Sequence, residues 1–258
     1  MPQAPIARLA ATIEELVRAH RSASPPPRGL PYLGLELPSG TGFHLLDALA
    51  ARGIFRKYEL VLDVGAGLGG ASRWLAARLG CEVVGTTASG AEATAGRRLT
   101  RGARLSAQVR LVAGDPGFLP FRDGRFTHVW LLEALPRLPD PLAALREAYR
   151  ALRPGGTVAV QDLVLTDAPF PAIPGWTPAR VSERTAMLGG AGFVDLEVRD
   201  RTAEAAERSA QVLAARDQLL RRLRADPDLA PYAAERDALS TALSTGALGV
   251  IQILARRP

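Results

Sequence analysis

The run Val61-Leu62-Asp63-Val64-Gly65-Ala66-Gly67-Leu68-Gly69-Gly70 is the strongest chemical signal in the chain. Apolar residues lead into alternating glycines, and a helical stretch follows. Glycine lets the backbone turn tightly and leaves room for a ligand to approach the main chain. The Gly-x-Gly-x-Gly spacing departs from the Gly-x-Gly-x-x-Gly fingerprint of dinucleotide enzymes. A nicotinamide cofactor is therefore disfavoured, and the loop reads as a ligand site at a strand's carboxyl end or as a helix N-terminus with tight turns and no ligand.

Few groups are placed to move a proton there. Glu133 closes the apolar run Thr127–Leu132 and reads as a group facing a ligand or as half of an ion pair. Asp162 follows the run Thr157–Val160 and reads as a base for a hydroxyl or as a loop or cap carboxylate. His44 lies on a short helical stretch, Gly42–Arg52, and reads as a catalytic group or a structural histidine. Arg137 can clamp an anion in two-pronged fashion, or lie solvated. Phe170 and Trp176 fall in a proline-rich stretch, Asp167–Pro178, where they stack on a planar substrate or pack beneath a loop. Cys81 and Trp74 read as core, and His20 and His128 have no clear route to a pocket. No cysteine or histidine cluster suggests a metal.

The elements that must hold these groups alternate. Nearly continuous apolar runs occur at Leu60–Val64, Val83–Gly85, Val109–Val112, Thr127–Leu132, Thr157–Val160, Phe193–Val198 and Leu248–Leu254. Runs apolar on both faces indicate a parallel sheet covered by helices. The joints agree: Ser89 with Glu92 has capping-box spacing, and Asp140-Pro141 and Thr177-Pro178 each put a cap before a first-turn proline. Arg153-Pro154-Gly155-Gly156 should stop a helix and turn into the next strand. Helical stretches are expected over about 203–224 and 232–244. Upstream, Ile6, Leu9, Ile13, Leu16 and Val17 give residues 5–20 one apolar helical face. Residues 22–40, with Pro25-Pro26-Pro27, read as a linker. The chain therefore divides into an arm and linker (1–57) and an α/β domain (58–258) with a helical insertion near 203–244.

Composition narrows the partners. The 258 residues carry 32 Lys+Arg against 26 Asp+Glu, a net +6, but the arginines are interleaved with acids rather than gathered in a stripe. Nucleic acid is not the expected partner. A single cysteine allows no internal disulfide, no window is apolar enough to cross a membrane, and no secretory leader is visible. A cytoplasmic protein with a small-molecule ligand is expected, and a homodimer is left open.

The ordered motifs resemble the class I S-adenosylmethionine-dependent methyltransferases, closest to the branch of sugar O-methyltransferases and quinone C-methyltransferases. Besides the glycine loop these are Val84-Gly85-Thr86-Thr87-Ala88-Ser89, Gly114-Asp115-Pro116 with Leu119-Pro120-Phe121, Phe126-Thr127-His128-Val129-Trp130 leading to Glu133, Pro139-Asp140, and Leu152-Arg153-Pro154-Gly155-Gly156-Thr157. Residues 60–165 match well, and 166–258 in outline. The resemblance implies a Rossmann-like, seven-stranded, mostly parallel sheet with an antiparallel last strand. It implies S-adenosylmethionine against Asp63, Gly65, Ala66, Gly67 and Gly69, with Thr86, Thr87 and Leu132 beside it. Asp115 would accept from the adenine amino group, and Pro116 would pack nearby. It also implies methyl transfer to the O, C or N atom of a small molecule; the alternative is an inactive cofactor-binding partner. Two departures bear on this. Thr87 stands where a ribose-binding acid is usual. Pro136 and Arg137 stand where many relatives carry paired histidines, and neither offers a base.

Overall fold

A computed structural model describes residues 3–21, 31–41, 46, 59–209 and 213–258. His44, most of the stretch 42–52 and the triple proline lie outside the described residues.

Every apolar run of the core becomes a strand. They are β1 (Leu60–Val64), β2 (Glu82–Thr87), β3 (Val109–Ala113), β4 (Phe126–Leu132), β5 (Leu152–Leu165), β6 (Val194–Asp200) and β7 (Leu248–Arg256). They form one sheet in the order β3-β2-β1-β4-β5-β7-β6. The pairs among β1 to β5 are parallel, and β7 is antiparallel to both β5 and β6. The strand order reverses between β1 and β4. In open α/β sheets a crevice opens at that point, beyond the carboxyl ends of the strands. The glycine loop leaves β1 there, and Glu133 leaves β4.

Helices cover both faces. They are α1 (Gln3–Arg21), α2 (Gly70–Leu79), α3 (Gly90–Gly102), α4 (Pro141–Ala151), α5 (Val181–Gly190), α6 (Thr202–Ser209), α7 (Leu213–Arg224) and α8 (Ala230–Ser244). One face buries Val129, Val158 and Val160 against Leu145 and Ala148 of α4 and Leu188 of α5. The other buries Val61, Val83 and Trp130 against Trp74 and Leu75 of α2. Truncating a buried tryptophan such as Trp74 or Trp130 to alanine would cost roughly 3–5 kcal/mol.

The apolar stripe of α1 is buried as its spacing requires. Ile6, Leu9, Ile13, Leu16 and Val17 pack with Leu99 of α3 and Leu219 and Leu223 of α7. Tyr32 and Leu35, within the expected linker, join the same cluster. Ser89 caps α3 by accepting from Glu92 N at 3.2 Å, and Asp140 caps α4 by accepting from Ala143 N at 2.9 Å.

Two local expectations are corrected. Thr177 does not start a helix. Its N–H and its hydroxyl both donate to the Pro136 carbonyl, at 2.7 and 3.1 Å, so its cap function is spent on a loop tie. Helix α5 begins at Val181, where Glu183 accepts from Arg180 N at 2.7 Å. Helix α4 does stop just before Arg153, at Ala151, but the Arg153–Gly156 segment is itself the first part of β5 rather than a turn leading into it. Its edge is taken by the chain end: Gly155 N donates to Arg257 O at 2.9 Å and Arg257 N to Gly156 O at 3.0 Å. The expected helical stretch 203–224 is helical where it is described, as α6 and α7, with residues 210–212 outside the described set.

Candidate active site

The glycine loop is held by its neighbours. Ala66 N donates to Thr86 O at 2.8 Å, and Gly114 N to Thr87 O at 3.1 Å, so the loops after β1, β2 and β3 lie side by side. Gly67 has φ +53°, and a Cβ built there meets nothing within 4 Å. The main chain at Gly67 thus borders open space. Gly69 differs: a Cβ there would come within 2.6 Å of Leu111 Cδ1. Its glycine serves packing against β3.

That open space belongs to a cavity of about 700 Å³. Asp63, the loop Gly65–Leu68, Leu132 and Glu133 form its floor. Ile6 and Leu9 of α1 and the turn Glu36–Pro38 form one wall. The loop Ile173–Trp176 and one side of α8 close the rest. Its size falls in the range of small-molecule sites.

Two buried carboxyl groups stand in the floor. Asp63 is 1% exposed; burial pushes its pKa up to about 6, while Ser72 Oγ donates to it at 2.6 Å. Glu133 has φ +51°, a strained backbone for a residue with a side chain, and strain of this kind gathers at functional sites. Its N–H is fixed to Gln161 O at 2.6 Å. Thr41 donates to Oε1, whereas Oε2 makes no hydrogen bond of normal geometry among the described residues. Burial raises the Glu133 pKa above the usual carboxylate range.

The rim is aromatic and charged. The Arg137 guanidinium lies 5.5 Å from the centre of the Trp176 ring and 3.7 Å from Glu235. Trp176 Nε1 donates to the same Glu235 at 2.8 Å. Arg137 and Trp176, both expected at a substrate site, are therefore brought together at the cavity.

Several other expected site residues lie elsewhere. Asp162 is fully buried and its Oδ2 lies 2.7 Å from Arg184 Nε. It does not line the cavity. Strand alternation puts it on the face of β5 that carries Val160 and Val164, under α4 and α5. It is a core ion pair, and its assignment as the base is withdrawn. Phe170 also stays off the cavity and packs with the cluster around Leu163 and Leu248. Thr86 and Thr87 end β2, and Asp115 and Pro116 sit on the loop after β3, without lining it. Thr87 Oγ1 donates to Ser89 O at 3.0 Å, and exposed Asp115 accepts from Gly117 N at 2.8 Å. His128 is buried in β4, its Nε2 3.8 Å from Glu59.

The sequence reading missed the contribution of α8. Tyr232 and Arg236 both line the cavity. Their spacing of four residues was a visible sign that they share a helix face, but nothing local says that this face meets the glycine loop.

Comparison with known proteins gives the class. Residues 62–160 match the family model described as "Methyltransferase domain". Methyltransferase GfsG of Streptomyces halstedii is 33% identical over 171 residues, covering 62% of each chain. The chloroplastic tocopherol O-methyltransferase of Arabidopsis thaliana is 34% identical over 105 residues, 41% of this chain and 30% of that protein. The crystal structure of the (4+2)-cyclase SpnF superposes with a TM-score of 0.70 at 26% identity, covering 83% of this chain and 80% of that one. The chain thus spans 62% of the length of GfsG and 30% of the length of the tocopherol enzyme. Residues 62–160 thus match the methyltransferase domain family, and the mostly parallel seven-stranded sheet that contains them is the Rossmann-like methyltransferase fold.

Proposed function

We propose that this protein binds S-adenosylmethionine against the glycine loop and transfers its methyl group to a small-molecule acceptor held in the same cavity. The observation that carries this is the continuity of the cavity from the bare backbone of Gly67 and the Asp63 carboxyl to the Glu133 carboxyl. A Cβ at position 67 would occupy that space, so the loop fits a ligand lying close to the main chain.

The cofactor, when bound, supplies a methyl group already activated by a sulfonium centre. The chain's own residues then have three tasks. Asp63 pairs with the cofactor's ammonium group. Beyond the cavity's edge, Thr87 at the end of β2 and Asp115 after β3 offer a hydroxyl and a carboxylate oxygen to the ribose and adenine. Glu133 takes the acceptor's proton as the new bond forms. Burial suits Glu133 to that work, because a raised pKa makes a carboxylate a stronger base. The rest of the rate comes from holding the acceptor in line. Pro136 and Arg137 supply no base, so Glu133 carries the role that histidines fill in similar proteins.

The relatives named as methyltransferases support a part in small-molecule biosynthesis, and the cytoplasm is the compartment we assign to it. The test is incubation with methyl-labelled S-adenosylmethionine and a panel of hydroxylated lipophilic acceptors, read by mass spectrometry. A product carrying one labelled methyl group supports the reading; recovery of every acceptor unlabelled across sterol, tocopherol and hydroquinone classes counts against it.

A second reading is favoured by the likeness to SpnF and by the absence of the paired histidines. In it the fold keeps its cofactor and catalyses an isomerisation of a bound polyene, with no methyl transferred. The same incubation separates the two, since an isomerised product keeps the mass of its substrate.

A further inference from the structure

Helix α8 brings to the cavity two polar side chains that the cofactor does not require. Tyr232 is 8% exposed, and its hydroxyl has no hydrogen-bond partner among the described residues. Arg236 is 2% exposed, and among the described residues its guanidinium donates only to main-chain carbonyls: Tyr232 O at 3.1 Å and Leu35 O at 3.5 Å. The nearby carboxylates are engaged elsewhere. Glu36 is paired with Arg73 at 2.8 Å, Glu133 takes the Thr41 hydroxyl, and Glu235 takes Trp176. Burial lowers the Arg236 pKa to about 10, and the neighbouring Glu235 charge offsets only part of that shift.

Among the described residues no carboxylate bonds this buried guanidinium and nothing bonds this buried phenol, and each deficit is costly. Here they stand one helical turn apart on the same cavity wall. We infer that Tyr232 and Arg236 form an oxyanion subsite, and that the acceptor is an apolar molecule carrying a carboxylate or comparable anionic oxygen. The phenol donates one hydrogen bond and the guanidinium supplies charge. Ile6, Leu9 and Leu37 cover the apolar body. This rests on the reading that the acceptor shares the cavity with the cofactor. The one competing source of the same chemistry is the cofactor's own carboxylate.

The test is calorimetric titration of protein saturated with S-adenosylhomocysteine, using decanoate and its neutral analogue methyl decanoate. Decanoate should bind at least about tenfold more tightly than the ester, the worth of a hydrogen bond to a charged group. Tyr232→Phe and Arg236→Lys should each weaken decanoate binding by about tenfold while leaving the ester and S-adenosylhomocysteine within about twofold. Tyr232→Phe removes a single oxygen and carries the test if Arg236→Lys fails to fold. Equal binding of acid and ester, or no binding of either, overturns the proposal. So does a loss confined to S-adenosylhomocysteine, which would give the subsite to the cofactor. If the unmodified protein takes up no S-adenosylhomocysteine, the proposed function fails, and titrating the ligand-free protein with decanoate still tests the subsite.

Discussion

Asp162 and Arg184 form a fully buried ion pair, Oδ2 to Nε 2.7 Å, within the core beneath α4 and α5. Removing one partner strands the other charge in the core. Asp162→Asn should therefore destabilise the fold by about 3–5 kcal/mol, read by denaturant unfolding. Its S-adenosylhomocysteine affinity should match that of the unmodified protein. Replacing both partners, as Asp162→Leu with Arg184→Met, should recover most of the loss. A stable Asp162→Asn protein with lost cofactor affinity would return Asp162 to the site.

Asp63 makes cofactor binding depend on pH. Its pKa in the free protein is pushed up to about 6 by burial. An ammonium group beside it favours the carboxylate, so binding expels a proton wherever the free protein still holds one. Affinity for S-adenosylhomocysteine should thus rise by about tenfold from roughly pH 5 to pH 7 and then level off. Asp63→Asn should flatten the curve. In the ligand-free protein the sign is reversed. The folded state keeps a proton that the unfolded chain releases, so this group makes stability fall as pH rises from 3.8 to about 6.

Gly67→Val tests the loop. The side chain meets no protein atom, so the fold survives with a backbone penalty of about 1–3 kcal/mol for a branched residue at φ +53°. The new methyl groups occupy the ligand's space, and S-adenosylhomocysteine binding should disappear from the calorimeter. Retention of normal affinity would move the site away from the loop.

Glu133→Gln keeps the size of the side chain and removes its basicity. Turnover should fall by roughly 100-fold, the low end for a positioned base, with S-adenosylhomocysteine affinity held within about twofold. Because burial raises the Glu133 pKa, activity of the unmodified protein should increase with pH through that elevated value. The residual activity of the variant should lose this limb of the profile. A variant of full activity would leave positioning as the whole of the catalysis.

Much of this was legible in the residues, and the exceptions have physical causes. The faces of α1 and the seven strands follow from local periodicity, which burial enforces. The loop at Gly67 follows from backbone sterics. Asp162 was misplaced because the apolar run Thr157–Val160 ends before the strand does. β7 pairs with β5 as far as Leu165↔Leu248, and that long-range pairing extends the strand through Asp162 into the core. Thr177 was misjudged for the same kind of reason, since its partner is Pro136 on another loop. Tyr232 and Arg236 were missed because α8 reaches the glycine loop only through the tertiary fold. Arg137, Trp176 and Glu133 all line the cavity, and Glu133 follows directly on β4, whose carboxyl end the apolar run Thr127–Leu132 already marked.

The central claim is that the cavity beside Gly67 is a cofactor site, and calorimetric titration of the purified protein with S-adenosylhomocysteine tests it most directly. The account predicts a saturable isotherm with one site per chain, abolished in Gly67→Val and dependent on pH through Asp63. A titration of the folded, unmodified protein that shows no binding would contradict it.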